Sequence, residues 1–140
     1  MEDRWPFKTR FNPHGIFSVH SEKRCLYVLI EGAVNLEGAM ENCQAICKCV
    51  IDNNLNEMQW GAITDLRKYE LSTPEAIDEV KKNYDWTVAN GQRYAARIVN
   101  SVIKSQLANQ LSNAHHQELI VREFDELVLA EKWFKELGLL

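Results

Sequence analysis

Ser72 and Thr73 stand directly before Pro74-Glu75, at the head of a segment with helical spacing, and shortly after Asp65, Arg67 and Lys68. Two kinds of chemistry suit hydroxyls in that setting. A serine or threonine can accept a hydrogen bond from an early helix amide, and Ser72-x-x-Glu75 has the spacing of a capping box, with Pro74 suited to the first turn. Such a cap contributes about 1 kcal/mol. The same hydroxyls are candidate phosphoacceptors, because a phosphate at a helix start is favoured by the dipole and by Arg67 and Lys68, while Glu75 opposes it. The spacing favours capping and leaves phosphorylation as the minority reading.

Other reactive side chains form no recognisable constellation. Cys43, Cys47 and Cys49 lie in CQAICKC, a segment of helical character, where side chains two apart diverge, and Cys25 is distant in sequence. A zinc site needs paired ligands on turns with a second pair elsewhere, so buried free thiols are expected and no metal. His115-His116 with Glu118 diverge in the same way on a helix. The glycines are scattered and build no phosphate-cradling loop, and there is no serine elbow or HExxH pattern. Neither a cofactor nor catalysis is expected.

With 140 residues and ordinary hydrophobic and charged fractions of 46% and 26%, the chain can bury one core without a disulfide or metal staple. A net charge of -4 argues against a nucleic-acid partner, which calls for a strongly basic face. No stretch approaches the length of a membrane span, the start MEDRWPFKTRF has no apolar leader core, and reduced thiols point to the cytoplasm.

The elements that must position these groups follow from periodicity. Residues 1–14 carry two prolines and the aromatics Trp5, Phe7 and Phe11 without a period, and read as an arm whose rings dock on the domain's own surface. Residues 15–140 read as a single domain. GIFSVHS (15–21) and CLYVLIEGAV (25–34) make a hairpin around Ser21–Arg24, with Ser18 and His20 on a polar, solvated face. Asn35 caps a helix with Leu36, Met40, Cys43, Cys47 and Val50 inward. MQWGAITDL (58–66) is a strand in which Gly61 marks a bulge or a close approach. A helix with Ile77, Val80, Tyr84 and Val88 on its stripe runs to Asn90-Gly91, followed by the strand RYAARIV (93–99). A short helix over 106–114, the strand ELIVREF (118–124) and a helix capped by Asp125, with Ala130, Trp133, Phe134 and Leu137 inward, complete the chain. The order β-β-α-β-α-β-α-β-α implies an α/β fold with a mostly parallel five-stranded sheet and a hairpin at its edge.

The residues CLYVLIEGAVNLEGA, MQWGAITDL, RYAARIV and ELIVREFDELVLAEKWFKEL, the last with Ala130 and Trp133 three apart, resemble the SpoIIAA-like family of the STAS superfamily, domains akin to anti-anti-sigma factors. The resemblance covers residues 15–140. It implies a non-enzymatic regulatory module that docks on a partner protein, and it links the fold with lipid carriers. Regulatory members carry a phosphorylatable hydroxyl one or two residues beyond an aspartate. Asp65 matches that aspartate, but Leu66-Arg67-Lys68 follow it, and Ser72 and Thr73 keep only the helix-start position.

Ligands of open parallel sheets collect at the carboxyl ends of the strands. The loops there present Asn35, Asp65, Arg67, Ser72, Thr73, Asn100, Ser101 and Asp125. The expected function is regulatory protein binding through Asn35, Asp65, Arg67, Asn100 and Ser101, with Ser72 or Thr73 as the switch. The alternative is a carrier or sensor of a small apolar or lipid-like ligand, motivated by the surplus of aromatic rings. A homodimer through the edge hairpin or the arm is a further expectation.

Overall fold

The computed structural model describes Trp5 and residues 8–11, 15–104 and 118–140. The helix expected over 106–114, His115, His116 and Phe7 lie outside the described residues. The strands are β1 (Lys8–Phe11), β2 (Gly15–Glu22), β3 (Cys25–Val34), β4 (Trp60–Asp65), β5 (Tyr69–Ser72), β6 (Gln92–Ile98) and β7 (Ile120–Phe124). The helices are α1 (Leu36–Asp52), α2 (Pro74–Ala89) and α3 (Leu127–Glu136), with a 3-10 turn at Leu55–Glu57 and a helical turn over 101–104.

The sheet is seven-stranded and mixed, in the order β1-β2-β3-β4-β6-β7 with β5 beside β3. The expectation of five mostly parallel strands is corrected at two places. β1 pairs antiparallel with β2, so the β2–β3 hairpin is not the sheet edge and the arm contributes an element. β5 pairs parallel with β3 over Gly32–Val34, just beyond the Cys25–Leu29 stretch that β4 covers. Gly32, at φ +85, and a register shift between Gly32 and Val34 accommodate the change of partner. Each missed strand has four residues, one in a proline-flanked aromatic segment and one in a charged loop, too short for an alternating pattern to emerge.

Two layers of helices enclose the sheet. α3 covers the face bearing Tyr27, Ile63, Ala96 and Ile98, to which Ala130, Trp133 and Phe134 contribute their inward stripe. Gly61 does both things its position suggested: the register shifts between Trp60 and Gly61, and a Cβ on Gly61 would stand 2.8 Å from Phe134 Cζ. Trp5 docks on this face, edge-on to Tyr27. His20 accordingly stacks on Tyr27 at 4.8 Å, and Ser18 is fully buried, so the face expected to be polar and solvated is covered. The physical reason is that β1 removes the edge while Trp5 roofs the face.

α1 and α2 lie on the opposite face, over Leu26, Val28, Trp60 and Ala62. The inward stripe of α1 is Ala39, Asn42, Cys43, Ile46 and Val50, whereas Leu36 and Met40, expected inside, are exposed. The sequence stripe followed apolar residues, and the buried one contains a polar Asn42 that such counting passes over. Caps differ as well. Asn35 Oδ1 accepts from Gly38 N at 2.8 Å as expected, but α2 is capped by Thr73, whose Oγ1 accepts from Ala76 N at 3.2 Å. Ser72 belongs to β5, which shifts the helix start by one residue and removes Glu75 from capping-box register. Asp125 gives way to Glu126 as N-cap of α3, without a side-chain cap bond.

Candidate functional site

The carboxyl end of the sheet brings the sequence-expected site residues into two groups. Asp65 ends β4 in a buried position and holds Arg67 by two parallel bonds, Nε to Oδ1 at 3.0 Å and Nη2 to Oδ2 at 2.8 Å, while the Arg67 amide also donates to Oδ1. This carboxylate bonding raises the Arg67 pKa further. Asn100 donates to the Arg67 carbonyl at 2.9 Å and caps the 101–104 turn through Ile103 N. Ser101 is exposed and adds nothing to this network. The second group joins α1 to α2, because the amide of Thr73 donates to the carbonyl of Val34, next to Asn35. Ser72 Oγ is hydrogen-bonded to Tyr69 Oη. In both groups the polar atoms are directed at each other, a bidentate arginine–carboxylate pair bracing one loop and caps bracing the helices.

Space opens deeper in the molecule, between α1, α2 and the sheet. Two adjoining lobes of about 80 and 70 Å³ share Ile30, Asn42, Thr64, Val80, Tyr84 and Arg97 as walls. The first lobe reaches Trp60 and Cys43; the second reaches Val34, Tyr69 and Ser72. The stripe of α2 explains the gap. Ile77, Val80 and Tyr84 point inward yet are only half-buried, and small residues, Ala62 and Ala95, face them from the sheet. Sequence patterning identified the α2 stripe but read it as core.

Arg97 is the residue that sequence reasoning passed over. It sits in β6 opposite Thr64, only 8% exposed, and its Nη2 donates to Tyr84 Oη at 3.2 Å. The signal was present: one arginine inside the otherwise apolar run YAARIV, a strand with neighbours on both sides. Asn42 is 7% exposed, and its Oδ1 has no hydrogen-bond partner among the described residues. Cys43, buried in the same wall, has its thiol pushed up to about 12 by desolvation, with Cys47 and Glu79 adding to it. The four cysteines are free thiols, two buried and two half-buried.

No family model matches the chain, and no curated protein matches it. Among solved structures it is similar to an uncharacterized protein of the DUF3478 family with a SpoIIAA-like fold, from Shewanella loihica PV-4. The match covers 89% of this chain and 98% of that one, with a TM-score of 0.60 and 12% identity. The fold is SpoIIAA-like. At that identity the likeness concerns the SpoIIAA-like backbone arrangement alone, and the residues of the recess have to be argued from their own chemistry. No helix among the described residues is long and apolar enough to cross a membrane.

Proposed function

We propose that the protein is a non-enzymatic ligand-binding module, a carrier or sensor that holds a small molecule between α1, α2 and the sheet. The observation that carries this reading is the recess itself. A helix stripe of apolar residues is kept from closing on the sheet, and the walls are mostly apolar with a few converging polar groups, the composition of small-molecule sites. The walls present hydroxyls, amides, the Cys43 thiol and one guanidinium, with no carboxylate or imidazole among the described lining residues, which suits recognition better than turnover. Native mass spectrometry of the protein from its own cells, followed by denaturation, tests this: a small molecule released on unfolding is expected. Bare protein in both spectra, together with no change on titration with small apolar compounds, would sink the proposal.

A second reading, a regulatory module that docks on a partner protein and is switched by phosphorylation, is favoured by one feature. Leu36 and Met40, 40% and 42% exposed, lie at the start of α1, beside the strand end to which Thr73 is bonded. An apolar patch next to an exposed helix-start hydroxyl is a surface that a phosphate could alter. Thr73 is the more accessible acceptor, since Ser72 is half-buried against Tyr69. This reading requires a phosphate mapping to Thr73 in the intact protein, and its absence under every growth condition tried would remove the switch.

A further inference from the structure

Arg97 is a buried charge without an ion-pair partner among the described residues. A guanidinium stays protonated at any ordinary pH, and a buried charge is costly unless it is paired. Among the described residues its one side-chain hydrogen bond goes to the neutral Tyr84 hydroxyl, and no carboxylate stands within ion-pair distance. Glu123, its neighbour across the β6–β7 ladder, attracts it from a distance but is 3.7 Å from Lys104. Four of the five guanidinium N–H groups are thereby left without an acceptor among the described residues.

That vacancy coincides with the recess. Arg97 lines both lobes, and no other lining residue among those described is charged. Asn42, across from it on α1, also lines both lobes and carries the buried Oδ1 that has no partner among the described residues. Two unmet polar groups of opposite need, a donor fork and an acceptor, therefore converge on one space from two different elements. Tyr84 Oη accepts from Arg97 and keeps its own proton to donate.

We propose that the recess binds a small monocarboxylate, its carboxylate paired with Arg97 and Tyr84, its apolar body lying among Ile30 and Val80, and a polar substituent reaching Asn42. The inference rests on the reading of the recess as a ligand site and names its ligand class. The size of the space limits the body. Lobes of about 80 and 70 Å³ together match the ~150 Å³ that admits a benzene ring, so one ring or a short branched chain fits and a long acyl chain does not. Charge limits the head. A single planar fork matches a carboxylate's two oxygens and one negative charge, whereas a phosphate dianion calls for a second cation or a helix N-terminus, and the described walls contain no second cation.

The test is calorimetric titration of the full chain with benzoate, 4-hydroxybenzoate, hexanoate, benzamide, palmitate and inorganic phosphate, with Trp60 fluorescence as a second readout because its ring lines the first lobe. Benzoate is expected to bind about tenfold or more tightly than the isosteric neutral benzamide, since a charge-assisted hydrogen bond carries that much discrimination. 4-Hydroxybenzoate should gain further through Asn42, and Arg97→Met should reduce benzoate to the level of benzamide. If Arg97→Met does not fold, the wild-type protein still decides: carboxyl-labelled benzoate followed by carbon NMR should stay ionised to lower pH when bound than when free. Equal binding of benzoate and benzamide would overturn the carboxylate assignment while leaving the recess an apolar site. Displacement of benzoate by inorganic phosphate would overturn the ligand class. Binding of none of the six compounds would overturn the inference, and bare protein in the native mass spectrum beside it would overturn the ligand-site reading as well.

Discussion

On the α3 face, Phe134 lies so close to Gly61 that a Cβ there would meet it at 2.8 Å; on the opposite face, across the same sheet, Arg97 and Asn42 border a space that no side chain fills. Both faces are covered by amphipathic helices and both are floored by apolar strand residues. What differs is the size pairing at the contact. On the first face bulky rings on α3 meet glycine and alanine on the sheet, so helix and strand interlock. On the second, small Ala62 and Ala95 meet a half-buried Val80 and Tyr84, and the rings of Tyr84 and Trp60 line the space without filling it. Close packing is what a protein interior normally achieves, and a persistent gap holding unmet polar groups is a departure that points to a ligand.

Phe134→Ala should produce the largest effect. Emptying a fully buried phenyl site on the interlocked face is expected to cost about 3–5 kcal/mol in urea denaturation. Val80→Ala, on the open face, should cost about 1 kcal/mol or less, because the side chain is half-buried beside existing space. Similar losses for the two variants would erase the contrast between the faces.

The α2 start provides an intermediate test. Thr73→Ala should lose about 1 kcal/mol by removing the helix cap, whereas Ser72→Ala should lose less, since Ser72 belongs to β5. The reverse order, read from thermal melts, would return the cap to Ser72 and place the wrong residue at the helix boundary.

Alkaline pH should separate the faces by degree. The Cys43 thiol has a folded pKa raised from 9.0 to about 12, so the native state holds its proton more tightly than the unfolded chain. Its stabilising contribution is complete below pH 9 and is lost as pH rises towards about 12. Burial drives Cys25 and Tyr27 upward as well, on the α3 face. Cys43→Ala should therefore flatten only part of the fall in urea midpoint between pH 9 and pH 11. An unchanged slope in that variant would mean that Cys43 is open to solvent through the recess.

The smallest change is expected at the buried guanidinium of β6. Arg97→Met replaces a buried guanidinium without an ion-pair partner among the described residues by an apolar chain of similar length, a change that is neutral or stabilising by about 1 kcal/mol. A loss of several kcal/mol, measured by denaturation without ligand, would make Arg97 a structural brace and sharpen the site around Asn42 alone.

Much of the fold was legible because strong periodic signals carry local information. The β2–β3 hairpin, α1, α2, α3 and the strands β4, β6 and β7 follow from runs of branched or apolar residues and from turn residues such as Asn90-Gly91. The resemblance to the SpoIIAA-like family was legible in the same segments. β1 and β5 were not, since four residues of mixed polarity are made into strands by the neighbours that hydrogen-bond them. Asp65, Arg67, Asn100, Ser72 and Thr73 could be placed near the carboxyl end of the sheet from sequence, but the bonds among them could not, because those partners lie far apart along the chain or depend on loop geometry.

By itself, then, the sequence determined the helices α1, α2 and α3 and the longer strands β2, β3, β4, β6 and β7, where each begins within about two residues, and that their alternation packs helices against one sheet. These are consequences of the side-chain period and of backbone-local caps, which act over a few residues. Only the tertiary structure decided that Arg97 is buried against the neutral Tyr84 hydroxyl, that Asn42 faces it from another element, and that α2 stands off the sheet between them. Burial, pairing and empty space are properties of residues brought together across the fold, so no window of the sequence contains them.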